Sequence, residues 1–139
     1  MAILYIVGTG PGAVEHLTDA ARKAIAASGT IVGYDNYIEL VRPLLNSKNV
    51  IATGMMQEVQ RCREAIRRSS AGESVALVSG GDSGIYGMAG VVLELVKSAE
   101  ARKLNLEIIP GITSACSCAS LLGSPLAQDF AMISLSDLL

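Results

Sequence analysis

Short apolar runs recur along the chain and alternate with longer stretches in which apolar residues return every three or four positions. The runs at Ile3–Val7, Thr30–Gly33, Val50–Ala52, Ser74–Ser79, Leu106–Ile109 and Ala131–Ser134 predict strands. Between them, residues 17–28 place Leu17, Ala20, Ala21, Ala24, Ile25 and Ser28 on one helical face. Residues 57–69 place Val59, Cys62 and Ile66 inward and Glu58, Arg61, Glu64, Arg67 and Arg68 outward, with Glu64 and Arg68 spaced to pair along the helix. Residues 85–98 repeat the pattern with Ile85, Met88, Ala89, Val92, Leu95 and Val96. Strand–helix alternation of this kind predicts an α/β fold: a mostly parallel sheet of about five strands flanked by helices.

The chain has 139 residues, enough for one domain with a core, so residues 1–139 are expected to form a single α/β domain. Hydrophobic residues make up 50% and charged residues 17%, which excludes a disordered chain. With one Phe, four Tyr and no Trp, packing falls to Ala, Gly, Ile, Val and Leu, as in sheets covered on both faces. The net charge of −2 argues against a nucleic-acid partner. Every apolar run is interrupted before it reaches membrane-spanning length, so no membrane partner is expected. Met1-Ala2-Ile3-Leu4-Tyr5 leads straight into a strand without a basic leader, and Cys62, Cys116 and Cys118 are expected to be reduced thiols of a cytoplasmic protein. Cys116 and Cys118, two apart on a helix, point about 200° apart and cannot share one ion. No metal site is expected.

Three strands end in glycine: ILYIVGTGPG at 3–12, VALVSGGDSG at 75–84 and LEIIPGITS at 106–114. In a parallel sheet these ends lie on one edge, where open α/β sheets bind ligands. Rival readings of the same letters are weaker. Gly81-Asp82-Ser83-Gly84 imitates a protease serine signature, but the predicted fold is wrong for it and His16 is the sole histidine. The G-x-S-x-G elbow fails at Ile85. Gly8-Thr9-Gly10-Pro11-Gly12-Ala13 formally fits a dinucleotide fingerprint, with Asp35 near the place of a ribose-binding acid. Pro11-Gly12, however, extends the loop, and the helical pattern begins only near Leu17, with Thr18 at its cap or in its first turn. A dinucleotide-binding oxidoreductase domain stays open as an alternative, as does a catalytically silent domain that binds a partner or completes a dimer. In PGITSACS, Gly111 allows an unusual turn and brings Thr113 and Ser114 to a helix start, where free N–H groups and hydroxyls meet.

Taken together, VGTGPG, IVGYDNY, VSGGDSGIYGMAG and IIPGITSACSCASLLGSPLAQDFAMISLSDLL resemble the tetrapyrrole methylase family along the whole chain. The resemblance implies an S-adenosylmethionine-dependent methyltransferase, with S-adenosylhomocysteine as product, acting on a precorrin at carbon 17 with ring contraction in cobalamin biosynthesis. It implies a two-domain enzyme of which these residues are the first domain, and a homodimer in full-length form. Carried over position by position, it assigns cofactor binding to Pro11, Gly80, Gly81, Asp82, Ile85, Thr113 and Ser114. Asp35 aligns with an aspartate given a proton-accepting role in related enzymes. Gly10, Gly12 and His16, in the first loop, are expected to face the tetrapyrrole. Ser83 stands where many members carry proline, which predicts a less rigid loop. Asp82 is expected either to meet a ligand hydroxyl or amine or to brace its own loop.

Overall fold

In a computed structural model, which describes residues 2–97 and 104–134, five strands form one sheet: β1 Leu4–Gly8, β2 Thr30–Tyr34, β3 Asn49–Thr53, β4 Val75–Ser79 and β5 Leu106–Ile109. The order across the sheet is β3-β2-β4-β1-β5, and each neighbouring pair runs parallel. Five α-helices accompany them: α1 Asp19–Ala27, α2 Asp35–Val41, α3 Glu58–Ser70, α4 Ala89–Val96 and α5 Ser114–Leu121.

The three inner strands are buried on both faces, as their unbroken apolar runs require. Alternation along each strand splits the core in two. Val7, Ile31, Ala76 and Val78 pack with Ala21, Ala24 and Ile25 of α1 and Ile38 and Val41 of α2. Leu4, Ile6, Val32, Val75 and Leu77 pack on the opposite face with Cys62 and Ala65 of α3 and Ala89 and Val92 of α4. The helix that follows β1 and the helix that follows β4 thus cover opposite faces, although the two strands are neighbours. That is a topological switch point, and it opens a crevice at the carboxyl edge between them.

A local signal sets the start of α1. Thr18 caps α1, its hydroxyl accepting from Ala21 N–H at 3.1 Å. Glu64 pairs with Arg68 at 2.8 Å along α3, as its spacing predicts. Arg67 and Arg68 together hold the Glu64 carboxyl down to about 2, through hydrogen bonds first.

Four expectations need correction. Ala131–Ser134 is not a strand; Tyr86 holds it from outside the sheet, its hydroxyl donating to Met132 O and accepting from Ser134 N–H. The helix expected from residue 85 starts at Ala89, because residues 80–88 are committed to a loop. On α3 the inward face is Arg61, Cys62, Ala65 and Ser69, so Arg61 is only 4% exposed while Val59 is 48% exposed. On α1, Ala20 is exposed. The last five residues of the family-like ending, Leu135–Leu139, lie outside the described residues.

The cysteines also divide: Cys62 is buried, whereas Cys116 and Cys118 are exposed. Burial, outweighing the nearby Arg61 guanidinium, pushes the Cys62 thiol up to about 11. Iodoacetamide at about pH 8 should therefore label Cys116 and Cys118 quickly and Cys62 only after denaturation. Mass spectrometry showing all three modified at one rate would contradict this burial.

Candidate functional site

The sheet places the loops after β4, β1 and β5 side by side, because those strands are consecutive in the sheet. Gly10 and Gly81 form an isolated antiparallel bridge, Gly10 N–H donating to Gly81 O at 3.0 Å and Gly81 N–H to Gly10 O at 2.8 Å. Both sit in the left-handed region, at φ +74° and +64°, which a side chain disfavours. The third loop is fastened by side chains. Asp82 Oδ1 accepts from Gly111 N–H at 2.9 Å, and its Oδ2 accepts from Gly84 N–H at 2.8 Å. The second bond closes an Asx-turn and the first ties the β4 loop to the β5 loop.

Ser83 is fully buried, and its Oγ donates to Ile109 O at 3.0 Å, while its carbonyl accepts from Ala89 N–H at the start of α4. It is a clamp between strand ends. Its hydroxyl supplies a tie to β5 that proline could not make. Nor can a buried, committed hydroxyl act as a surface nucleophile.

These ties enclose a cavity of about 290 Å³. Pro11, Gly80, Gly81, Asp82, Ile85, Thr113 and Ser114 all line it, so three separated segments of sequence converge on one space. Gly10 lines it too, with Tyr37, Leu40, Tyr86 and Met132. Thr113 occupies the N-cap of α5 without a side-chain cap bond, leaving its hydroxyl and the first N–H groups of that helix for something else. At Gly80 the backbone is bare to the Tyr37 ring: a Cβ there would stand 2.6 Å from Tyr37 Cε1.

The remaining candidates lie elsewhere. His16 lines a neighbouring depression of about 260 Å³ that shares Pro11 as a wall. Gly12, at φ +135°, lies near Leu40 but does not line the cavity. Asp35 opens α2 after β2 and is exposed, outside the lining of the cavity. Among the described residues no three His, Cys, Asp or Glu side chains gather as metal ligands.

Sequence reasoning missed Tyr34 and Tyr37 as an aromatic wall. Tyr34 and Tyr37 meet edge to face at a 5.5 Å centroid separation, and Tyr86 adopts a positive φ of 50° while holding residues 132–134. The scarcity of aromatics offered a signal, since Tyr34 and Tyr37 fall within four residues of one strand end.

A family model described as Tetrapyrrole (Corrin/Porphyrin) Methylases matches residues 3–138. A probable cobalt-factor III C(17)-methyltransferase of Salmonella typhimurium is 50% identical over 139 residues, covering 99% of this chain and 56% of that protein. The crystal structure of the methyltransferase CobJ superposes with a TM-score of 0.92 at 31% identity, over 99% of this chain and 57% of that one. The uroporphyrin-III C-methyltransferase of Thermus thermophilus complexed with S-adenosyl homocysteine gives a TM-score of 0.68 at 26% identity, over 85% of this chain and 48% of that one. The chain spans from 25% to 56% of the length of the first two curated relatives it matches.

Proposed function

Because the chain belongs to the tetrapyrrole (corrin/porphyrin) methylase family, we propose that it is the cofactor-binding half of an S-adenosylmethionine-dependent methyltransferase acting on a precorrin or cobalt-precorrin of cobalamin biosynthesis. The reaction proposed is methylation at carbon 17 with ring contraction, of the kind named for precorrin-3B or cobalt-factor III. The observation that carries the reading is the convergence of Pro11, Gly80–Asp82, Ile85 and Thr113–Ser114 on one cavity at the switch point of the sheet.

The cavity suits a nucleoside bearing a charged thioether. Gly80 and Gly81 present main chain where a Cβ would intrude or strain. Pro11 and Ile85 offer apolar walls to a base, and the Thr113 hydroxyl and α5 N–H groups offer donors. Asp82, although committed to two backbone N–H groups, retains lone pairs for a ligand hydroxyl. When bound, S-adenosylmethionine supplies a methyl group on a sulfonium, which departs as a neutral thioether under in-line attack by an electron-rich carbon. The residues of this chain would therefore work by positioning, with the Gly10–Gly81 bridge and the Asp82–Gly111 tie fixing the loops that line the cavity. Asp35 is the proposed proton acceptor. Gly10, Gly12 and His16 are the proposed first-loop neighbours of the macrocycle.

The reading also takes residues 1–139 as the first of two domains. Leu121 and Leu122 at the end of α5, and Phe130 and Ile133 beyond it, are more than half exposed, an apolar surface suited to a second domain. A homodimer of the full-length enzyme and a cytoplasmic location belong to the same proposal. No helix among the described residues is long and apolar enough to cross a membrane.

Calorimetric and thermal-shift titration of the chain with S-adenosylhomocysteine and with NAD tests the reading. At about a hundredfold excess over Kd, S-adenosylhomocysteine should add about 2.7 kcal/mol, raising the melting temperature by roughly 10 °C, and NAD should add nothing. Stabilisation by NAD alone, or by neither ligand, would refute it.

A further inference from the structure

Residues 131–134 join no strand, yet their exposure alternates: Ala131 and Ile133 are exposed, Met132 and Ser134 half-buried. This is the two-residue period of a strand. Each half-buried residue lines a cavity, Met132 the one of about 290 Å³ and Ser134 its neighbour of about 520 Å³. Tyr86 holds the segment in place. Its hydroxyl donates to Met132 O at 3.0 Å and accepts from Ser134 N–H at 3.1 Å. A carbonyl and the N–H two residues further on are the pair that one residue of a neighbouring parallel strand engages. A phenol has one proton to give and lone pairs to receive, so a single atom of Tyr86 takes both.

The side chain is presented from a strained backbone. Tyr86 sits at φ +50°, in the left-handed region, where a bulky residue is an outlier. Such strain persists only where the surroundings over-determine it, and it clusters at functional sites. Here the loop itself imposes it. Asp82 and Ser83 are fastened to Gly111 N–H and Ile109 O, and Gly87 returns so close to them that a Cβ there would stand 2.4 Å from Ser83 O. Glycine would fit position 86 without strain. The tyrosine adds a ring that lines both cavities and a hydroxyl that reaches residues 132–134. We infer that Tyr86 is a positioning residue: its hydroxyl seats residues 132–134 and thereby sets Met132 as a wall of the cofactor cavity. The Met132 thioether is unbranched and adaptable, so it is a fixed wall only while its backbone is held. The identity of the ligand rests on the methyltransferase reading; the seating itself does not.

The test uses this chain and its Tyr86→Phe, Met132→Ala, Ile133→Ala and Tyr86→Phe/Met132→Ala variants. S-adenosylhomocysteine affinity, melting temperature, Ser134 amide exchange and the NMR signal of methyl-labelled Met132 are measured for each that retains the group. Tyr86→Phe keeps the ring and removes only the hydroxyl. It should weaken S-adenosylhomocysteine roughly three- to tenfold and speed Ser134 exchange about tenfold. The melting temperature should move by less than about 3 °C, because a segment at the surface opens locally. The Met132 methyl signal should shift on ligand addition in the unaltered chain and barely shift in Tyr86→Phe. Met132→Ala should cost affinity alone but add little on top of Tyr86→Phe, as coupled sites do. Ile133→Ala, on the exposed side of the same segment, should bind as wild type. Wild-type affinity and Ser134 exchange in Tyr86→Phe overturn the inference. So does a loss of affinity that merely follows a fall in melting temperature, with Met132→Ala fully additive. Failure of the unaltered chain to bind S-adenosylhomocysteine overturns the methyltransferase reading instead, and Ser134 exchange then decides the seating alone.

Discussion

Gly111→Ala is expected to lower the melting temperature by about 10 °C or more, a loss of roughly 3 kcal/mol, and to abolish S-adenosylhomocysteine binding. A Cβ at this position would lie 2.2 Å from Gly81 O and 2.7 Å from the carbonyl carbon and oxygen of Gly8. All three are main-chain atoms of loops already fastened to each other, so no flexible side chain can swing away. The approach is mutual: a Cβ on Gly8 would meet Gly81 O at 2.7 Å and Gly111 N and Ser83 N at 2.8 Å. Three backbones therefore touch where the three glycine loops leave the sheet, and relieving the clash means separating the loops that enclose the cavity. Gly90→Ala is the control. Gly90 lies in α4, where an added Cβ meets nothing within 4 Å, and alanine there should stabilise by about 0.5–1 kcal/mol. Circular-dichroism melts of the two variants read both effects, and a Gly111→Ala protein as stable as wild type would show that the loops do not meet as described.

The same crowding explains why the site was visible in the letters. VALVSGGDSG and LEIIPGITS stop being apolar where the chain leaves a doubly covered sheet, and the glycines follow because neighbouring backbones occupy the space of a Cβ. Parallel topology then carries all such ends to one edge, so convergence followed from the fold class. The adjacency of β4, β1 and β5 was a further fact, set by strand order, which no local pattern encodes.

What stayed hidden depended on distant partners. Asp35–Val41 is only two turns long and buries just Ile38 and Val41, too little periodicity to read as a helix. Arg61 looked like one more charge on a solvated face of α3. It is buried because Thr53 and Gly54, at the end of β3, and Tyr34, at the end of β2, supply its environment from elsewhere in the chain. Ala131–Ser134 has the composition of a strand but pairs with neither edge strand of the sheet, and the Tyr86 hydroxyl instead bonds Met132 O and Ser134 N–H. Ser83 sits in a protease-like signature that the fold class argued against and stands where the family often carries proline, and only the position of Ile109 O shows it to be a clamp.

Asp82→Ala should be the most damaging single change among the site's side chains, costing about 3 kcal/mol and at least tenfold in S-adenosylhomocysteine affinity. Its carboxylate accepts from Gly84 N–H within its own turn and from Gly111 N–H in the loop after β5. Alanine leaves Gly111 N–H without its acceptor in a partly buried place and Gly84 N–H to solvent at the surface. Asp82→Asn discriminates bracing from direct ligand contact. Asparagine keeps one oxygen for one N–H and turns an amide NH₂ toward the other, so about half of the stability loss should remain. If the aspartate acts only by fastening the loops, affinity should recover in step with stability. If it also accepts from a ligand hydroxyl, the asparagine variant should regain more of its melting temperature than of its affinity. An Asp82→Ala protein that melts with wild type would remove the aspartate from both roles, and would leave the Gly10–Gly81 bridge and the Ser83–Ile109 clamp as the ties that set the width of the cavity.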